Sequence, residues 1–134
     1  MPFVRIDLIE GRGDAEVAAI GEAVQRALVE TMNVPERDRF QIITEHPRAR
    51  LVYNSAYLGV ERTDGIVLVQ VTLSAGRTTD QKLAFYARAA ALLEQGANVR
   101  PGDVTISLVE STREDWSFGN GAAQYLVLPR DQWK

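Results

Sequence analysis

The chain has 134 residues, a formal net charge of −3 and no cysteine, which suits one domain with a sizeable core and excludes a disulfide framework or thiolate chemistry. A single histidine, His46, argues against a histidine metal site or a Ser-His-Asp triad, and the scattered Lys and Arg residues form no stripe for nucleic acid. No apolar stretch reaches bilayer length and the amino terminus lacks signal-peptide flanks, so a cytoplasmic protein without metal, cofactor, nucleic-acid or membrane partner is expected.

Pro2 opens the first element. Removal of Met1, usual before a small residue, leaves a secondary amine at the head of the apolar run Phe3-Val4-Arg5-Ile6-Asp7-Leu8-Ile9, read as a strand. An α-amino group has a pKa of about 7.7–8.0. Modest desolvation or a neighbouring charge therefore sets it as a base or as an acid. Proline is also simply tolerated before an edge strand, so Pro2 carries weight only with support from elsewhere.

A turn at Gly11-Arg12-Gly13 follows, with Asp14 as the expected N-cap. Val17, Ile20, Val24, Ala27 and Leu28 recur at helical spacing, and the helix should end near Asn33, before Pro35. A second strand is expected over 40–44. The stretch 66–73 is β-branched and almost continuously apolar, as in a strand covered on both faces. Gly76-Arg77 leads to Thr78 or Thr79 as N-cap of a second helix, with Leu83, Tyr86, Ala90 and Leu93 on its apolar face. The helix ends within 96–102, and a fourth strand is expected over 104–109.

The two halves repeat. Leu8, Gly11, Arg12, Leu28, Asn33, Val34, Asp38 and Glu45 overlay Leu73, Gly76, Arg77, Leu93, Asn98, Val99, Asp103 and Glu110 at one shared offset, which indicates a duplicated β-α-β module. The slip is one residue by Pro35 and Pro101. The expected fold is α+β in two layers: one domain over 1–134, unit one about 2–45 and unit two about 65–110. Right-handed crossovers make a four-stranded mixed sheet with both helices on one face. The bare face calls for cover by another subunit. Residues 46–63 and the tail 111–134 read as short hairpins and loops that pack between subunits.

If residues 66–73 pair parallel beside the first strand, the two share their amino ends on one edge. Asp38 precedes the second strand, and Arg77 enters the second helix, where the helix dipole disfavours a cation. Anion binding would justify it there, because free amides and a guanidinium fork can share a carboxylate. Taken singly, Asp38 is an ordinary loop carboxylate and Arg77 a solvated arginine. Arg37 and Arg39 flank Asp38 and are either solvated or hold it ionised. In Asp115-Trp116-Ser117-Phe118-Gly119-Asn120-Gly121, Trp116 and Phe118 make either an apolar wall over a small pocket or a subunit anchor. His46 reads as a loop residue without a catalytic task.

These residues resemble the tautomerase superfamily, and within it the malonate semialdehyde decarboxylase branch. The likeness runs from Pro2 and Asp7–Arg12, through 34–41, Gly76-Arg77 and Gln81-Lys82, to 108–110 and Asp115–Gly119. It implies a homotrimer with Pro2 and Asp38 catalytic and Arg77 binding a substrate carboxylate. Trp116 and Phe118 would then be an apolar wall near the proline. A second carboxylate-binding arginine of the better-known members falls on Ala75. The resemblance implies decarboxylation of malonate semialdehyde or a similar 3-oxo acid, or else tautomerisation of a 2-oxo acid such as phenylpyruvate with Pro2 as base, or hydration. A non-catalytic trimeric interaction protein, like the superfamily's cytokines, is the alternative of another class.

Overall fold

The computed structural model describes residues 2–133; Met1, whose removal is expected above, and Lys134 lie outside the described residues. Four strands, β1 (Phe3–Ile9), β2 (Phe40–His46), β3 (Val67–Ser74) and β4 (Val104–Ser111), form one sheet in the order β2-β1-β3-β4. Two long helices, α1 (Asp14–Met32) and α2 (Thr79–Ala97), cover one face, and a single turn, α3 (Gln124–Val127), lies in the tail.

Alternation decides which face is covered. Val4, Ile6 and Leu8 of β1 and Val67, Val69, Val71 and Leu73 of β3 are buried in one cluster with Ile20, Val24 and Leu28 of α1 and Phe85, Ala89 and Leu93 of α2. The other face of β3 carries Leu68, Gln70 and Thr72, so that strand is continuously apolar only toward the helices. Phe40, Ile42 and Val109 remain 48%, 42% and 40% exposed. Residues 46–63 form two 3-10 turns, Arg48–Arg50 and Tyr57–Gly59, in place of the expected hairpins. Leu51 from this stretch packs on Ile9 and Ile66. His46 ends β2 and is not in a loop; its Nε2 lies 2.6 Å from Asp7 Oδ1.

The helix ends follow local chemistry, with two corrections to the sequence reading. Gly13 is the N-cap of α1, and Asp14 is its first helical residue, where a carboxylate suits the positive end of the dipole. Thr78 caps α2 in a reciprocal box: its hydroxyl accepts from the Gln81 amide (3.1 Å) and Gln81 Oε1 accepts from the Thr78 amide (3.0 Å). Both helices end on asparagine in the left-handed region, Asn33 at φ 59° and Asn98 at φ 58°. The buried face of α2 is Phe85, Ala89, Leu93 and Ala97. Leu83 is 58% exposed, and Tyr86 turns to the sheet edge beside Val104 and Ile106.

Strand direction also differs from the conditional expectation. β1 pairs parallel with β2, and β3 with β4, but β1 and β3 are antiparallel, with Phe3 opposite Thr72. The carboxy ends of β3 and β4 therefore meet the amino ends of β1 and β2 along one edge.

The opposite edge carries the duplicated counterparts. Asp103, 1% exposed, accepts from the Thr63 amide (2.6 Å) and hydroxyl (2.6 Å), and Arg12 donates to the Gly65 carbonyl (2.7 Å). The connection ahead of β3 fills this end.

Candidate active site

Antiparallel pairing of β1 with β3 gathers the candidate residues. Pro2 is buried at the head of β1. Asp38 lies two residues before the start of β2, in a turn closed by its amide on the Pro35 carbonyl (3.0 Å). Arg77 follows the end of β3, and Trp116 and Phe118 follow the end of β4. Parallel pairing of β1 and β3 would have sent Arg77 to the far edge.

Arg77 is fixed by its own fold. Its Nε donates to the Met32 carbonyl at the end of α1 (3.2 Å), and its Nη1 donates to the Ser74 carbonyl (3.0 Å). A guanidinium has five N–H donors, so donors remain for an anion. Ala75 is exposed and offers no second cation.

Asp38 is half-buried, and burial raises its carboxyl above the usual aspartate range; the positive charge of the chain's amino terminus and then Arg77 work in the opposite direction. The flanking arginines do not hold it. Arg39 reaches Glu22 (2.6 Å) and Gln41, and Arg37 lies at the rim of the cavity described next.

A cavity of about 260 Å³ opens beside Asp38. Phe40, Phe118, Tyr125, Leu128 and Trp133 supply its apolar wall, and Gln124 and Gln132 add amides. Of the residues expected from sequence, Asp38 and Phe118 line it. Trp116 stands behind: its ring stacks on Phe118 (centroids 5.6 Å, planes 14° apart), and its indole N–H donates to Ser111 Oγ (2.8 Å). Pro2 and Arg77 are not among the lining residues; Arg77 acts electrostatically on both Asp38 and Tyr125.

Within the described residues the tail folds back over its own chain. Gly119 at φ 127° and Gly121 at φ 64° bracket Asn120 at φ 57°, a run of left-handed conformations that reverses the chain. Gln124 locks the reversal, accepting from the Phe118 amide (2.8 Å) and donating to the Gly119 carbonyl (2.9 Å). Tyr125 thereby meets Phe118 edge-on at 5.0 Å and Trp133 at 4.5 Å. Burial, then the charge of Asp38, push the Tyr125 phenol up to about 12, so it stays protonated near neutrality and can donate to an oxygen in the cavity. The sequence reading missed Tyr125; the only signal was an aromatic shortly after a glycine-rich turn.

A raised carboxyl carries a stability consequence with a definite sign. The protonated form is favoured in the folded state, so its stabilising contribution is present below the unfolded pKa and lost as pH rises through the folded one. Asp38→Asn is therefore expected to have a Tm equal to or above the parent's at pH above about 5, where an ordinary aspartate is ionised, with the difference shrinking in acid. Calorimetry across pH checks this; a variant less stable at neutral pH contradicts it.

The chain matches a family model described as "Tautomerase enzyme" over residues 38–119 and a second of the same description over 2–59. It is 40% identical to probable tautomerase YusQ of Bacillus subtilis (strain 168), covering 94% of this chain and 99% of that protein. Among solved structures it is similar to malonate semialdehyde decarboxylase, reported in wild-type, mutant and inactivated forms as a basis for decarboxylase and hydratase activities (34% identity, TM-score 0.88, 93% and 96% of the two chains). It is also similar to the FG41 malonate semialdehyde decarboxylase inhibited by 3-bromopropiolate (39% identity, TM-score 0.88, 93% and 95%). A fused 4-OT solved as a symmetric trimer shares the fold at 22% identity, with a TM-score of 0.74 over 90% and 94% of the two chains.

Proposed function

We propose that this chain, which belongs to the tautomerase family and is an enzyme of that superfamily, decarboxylates a small 3-oxo acid such as malonate semialdehyde, with Pro2 as the amino-terminal catalyst. The observation that carries the reading is the convergence on one sheet edge of Pro2, Asp38, Arg77 and the aromatic segment after β4. Likeness to two decarboxylase structures over nearly the whole chain supports the same substrate class.

In this mechanism Arg77 takes the carboxylate and turns its bond to the α-carbon perpendicular to the carbonyl plane. Cationic Pro2 polarises the carbonyl oxygen; in the covalent variant the neutral amine attacks the aldehyde carbon, and protonation and loss of the carbonyl oxygen as water leave an iminium. The bond from carboxyl carbon to α-carbon breaks, carbon dioxide leaves, and the electron pair becomes an enol or enamine. A proton delivered to the α-carbon, followed by hydrolysis where an iminium formed, releases the shortened aldehyde. Asp38 supports the positive amine or positions the water. The apolar wall favours loss of charge from the carboxylate.

A second reading, tautomerisation of a 2-oxo acid such as phenylpyruvate with neutral Pro2 as base, draws on the aromatic lining and on the name of the curated relative. Assembly as a homotrimer is part of the proposal, since a second copy would cover Ile42 and Val109 on the open face. The deciding experiment gives protein lacking Met1 to malonate semialdehyde and to phenylpyruvate in separate assays. Carbon dioxide release, faster than phenylpyruvate ketonisation, is the expected result. Turnover of phenylpyruvate alone would replace decarboxylation with the second reading.

A further inference from the structure

We infer that Gln25, on the buried side of α1, is a positioning residue that sets where the Asp38 carboxyl stands in the cavity. Gln25 is a polar side chain only 5% exposed. Its Nε2 donates to the backbone carbonyls of Asp38 (3.2 Å) and Glu36 (3.4 Å), so one amide holds the turn that carries the carboxylate. Burial of an amide is unfavourable unless its hydrogen bonds are replaced; the donor side of Gln25 finds its replacements on that turn, while its Oε1 has no hydrogen-bond partner among the described residues.

The grip continues on the far side of Asp38. Gln41 donates to the Gly21 carbonyl (2.8 Å), and Arg39 donates to Glu22 (2.6 Å). Gly21 has a reason to be glycine inside a helix, where that residue is disfavoured. A Cβ there would lie 2.7 Å from Gln41 Oε1 and 3.1 Å from Ile43 Cδ1. Residues 21–25 of α1 thus hold the segment 36–41 through the Glu36 and Asp38 carbonyls at one end and the Arg39 and Gln41 side chains at the other.

The internal duplication supplies a control. At the shared offset, Gly21, Gln25, Arg39 and Gln41 correspond to Tyr86, Ala90, Val104 and Ile106. Those four residues line a common groove with no amide among them. A polar clamp is not what helix-on-sheet packing in this fold requires. It is present in the unit whose aspartate faces the cavity, and its counterpart is absent where Asp103 is closed off by Thr63.

The inference rests on the proposed role of Asp38, and the test separates the two. Full-length protein lacking Met1 is prepared with Gln25→Met, which keeps volume and removes both donors. A second variant, Gln25→Asn, retains an amide too short to reach both carbonyls and covers the case in which the first fails to fold. Turnover of malonate semialdehyde and phenylpyruvate is measured beside carbon-detected NMR titration of the Asp38 carboxyl. Displacing a catalytic group by an ångström costs about 10²-fold in rate, so kcat should fall about 10- to 10²-fold with KM little changed. The Asp38 midpoint should move down toward the ordinary aspartate value as water reaches it, with Arg77, Tyr125 and the amino-terminal charge still facing it. A folded variant with parental kcat and an unmoved Asp38 midpoint overturns the inference, as does a fall in Tm alone. If Asp38→Asn itself leaves turnover intact, the proposed mechanism fails, while the NMR midpoint still reports whether Gln25 positions the carboxyl.

Discussion

Pro2→Ala is expected to lower kcat/KM by about 10²–10⁴-fold, the usual contribution of a positioned acid or base, while leaving the fold and Tm close to the parent's. The reasoning is conformational as well as chemical. A pyrrolidine ring removes rotation about the N–Cα bond, so a proline at the chain start presents its N–H or lone pair in directions fixed by the ring and by β1. That strand is held on both sides, Phe3 standing opposite Phe40 on β2 and Thr72 on β3. An alanine amine gains rotation about its N–Cα bond, and as a primary amine it condenses with an aldehyde to an imine instead of the obligatorily cationic iminium of a secondary amine. Steady-state kinetics on both candidate substrates, with mass spectrometry to verify loss of Met1, is the measurement. Full activity in protein that still carries Met1 on every chain would remove the amino-terminal mechanism altogether.

The second large effect is expected at Arg77. Arg77→Ala should raise KM for a carboxylate substrate by about 10–10²-fold, because a hydrogen bond to a charged group contributes about 1.5–3 kcal/mol and each 1.4 kcal/mol is about tenfold. Ala75, two residues earlier, supplies no second cation at the end of β3. Arg77→Lys tests the geometry. The guanidinium spans the Met32 and Ser74 carbonyls and still has donors to spare, whereas a single ammonium cannot hold both and also grip an anion in a fork. The lysine variant should therefore recover only part of the loss. An esterified substrate, which lacks the negative end, should show little difference between parent and variant. Equal KM values for the parent and Arg77→Ala with the free acid would assign carboxylate binding elsewhere.

Much of the architecture was legible because its causes are local. The paired asparagines at the helix ends, the glycine-arginine turns and the repeated aspartates lie at one offset, and Asn33 and Asn98 adopt the same left-handed geometry. Asp38, Arg77 and Phe118 could be nominated because each follows or precedes a strand. Other features depend on pairing between distant segments. Whether β3 runs with or against β1 is invisible in either strand's composition, yet it decides whether Arg77 and Pro2 share an edge. Trp116 and Phe118 look alike in sequence, but only Phe118 faces the cavity, because the indole N–H of Trp116 is drawn to Ser111. Tyr125 and Gln25 escaped notice for the same reason. The first depends on a chain reversal at 119–121, and the second sits in a helix whose apolar period already accounted for the neighbouring residues.

The edge closed by Thr63 and Asp103 has a consequence for the second half of the chain. In the first half, Pro2 precedes the strand; in the second, Val67 occupies the matching place within a continuous backbone, and an amide from the preceding loop donates to the aspartate. On the proposed mechanism, in which an amine of Pro2 reacts, the second copy of the module offers no corresponding amine, whatever side chains it retains. Arg12 and Asp103 instead anchor the connection ahead of β3, the first on the Gly65 carbonyl and the second on Thr63.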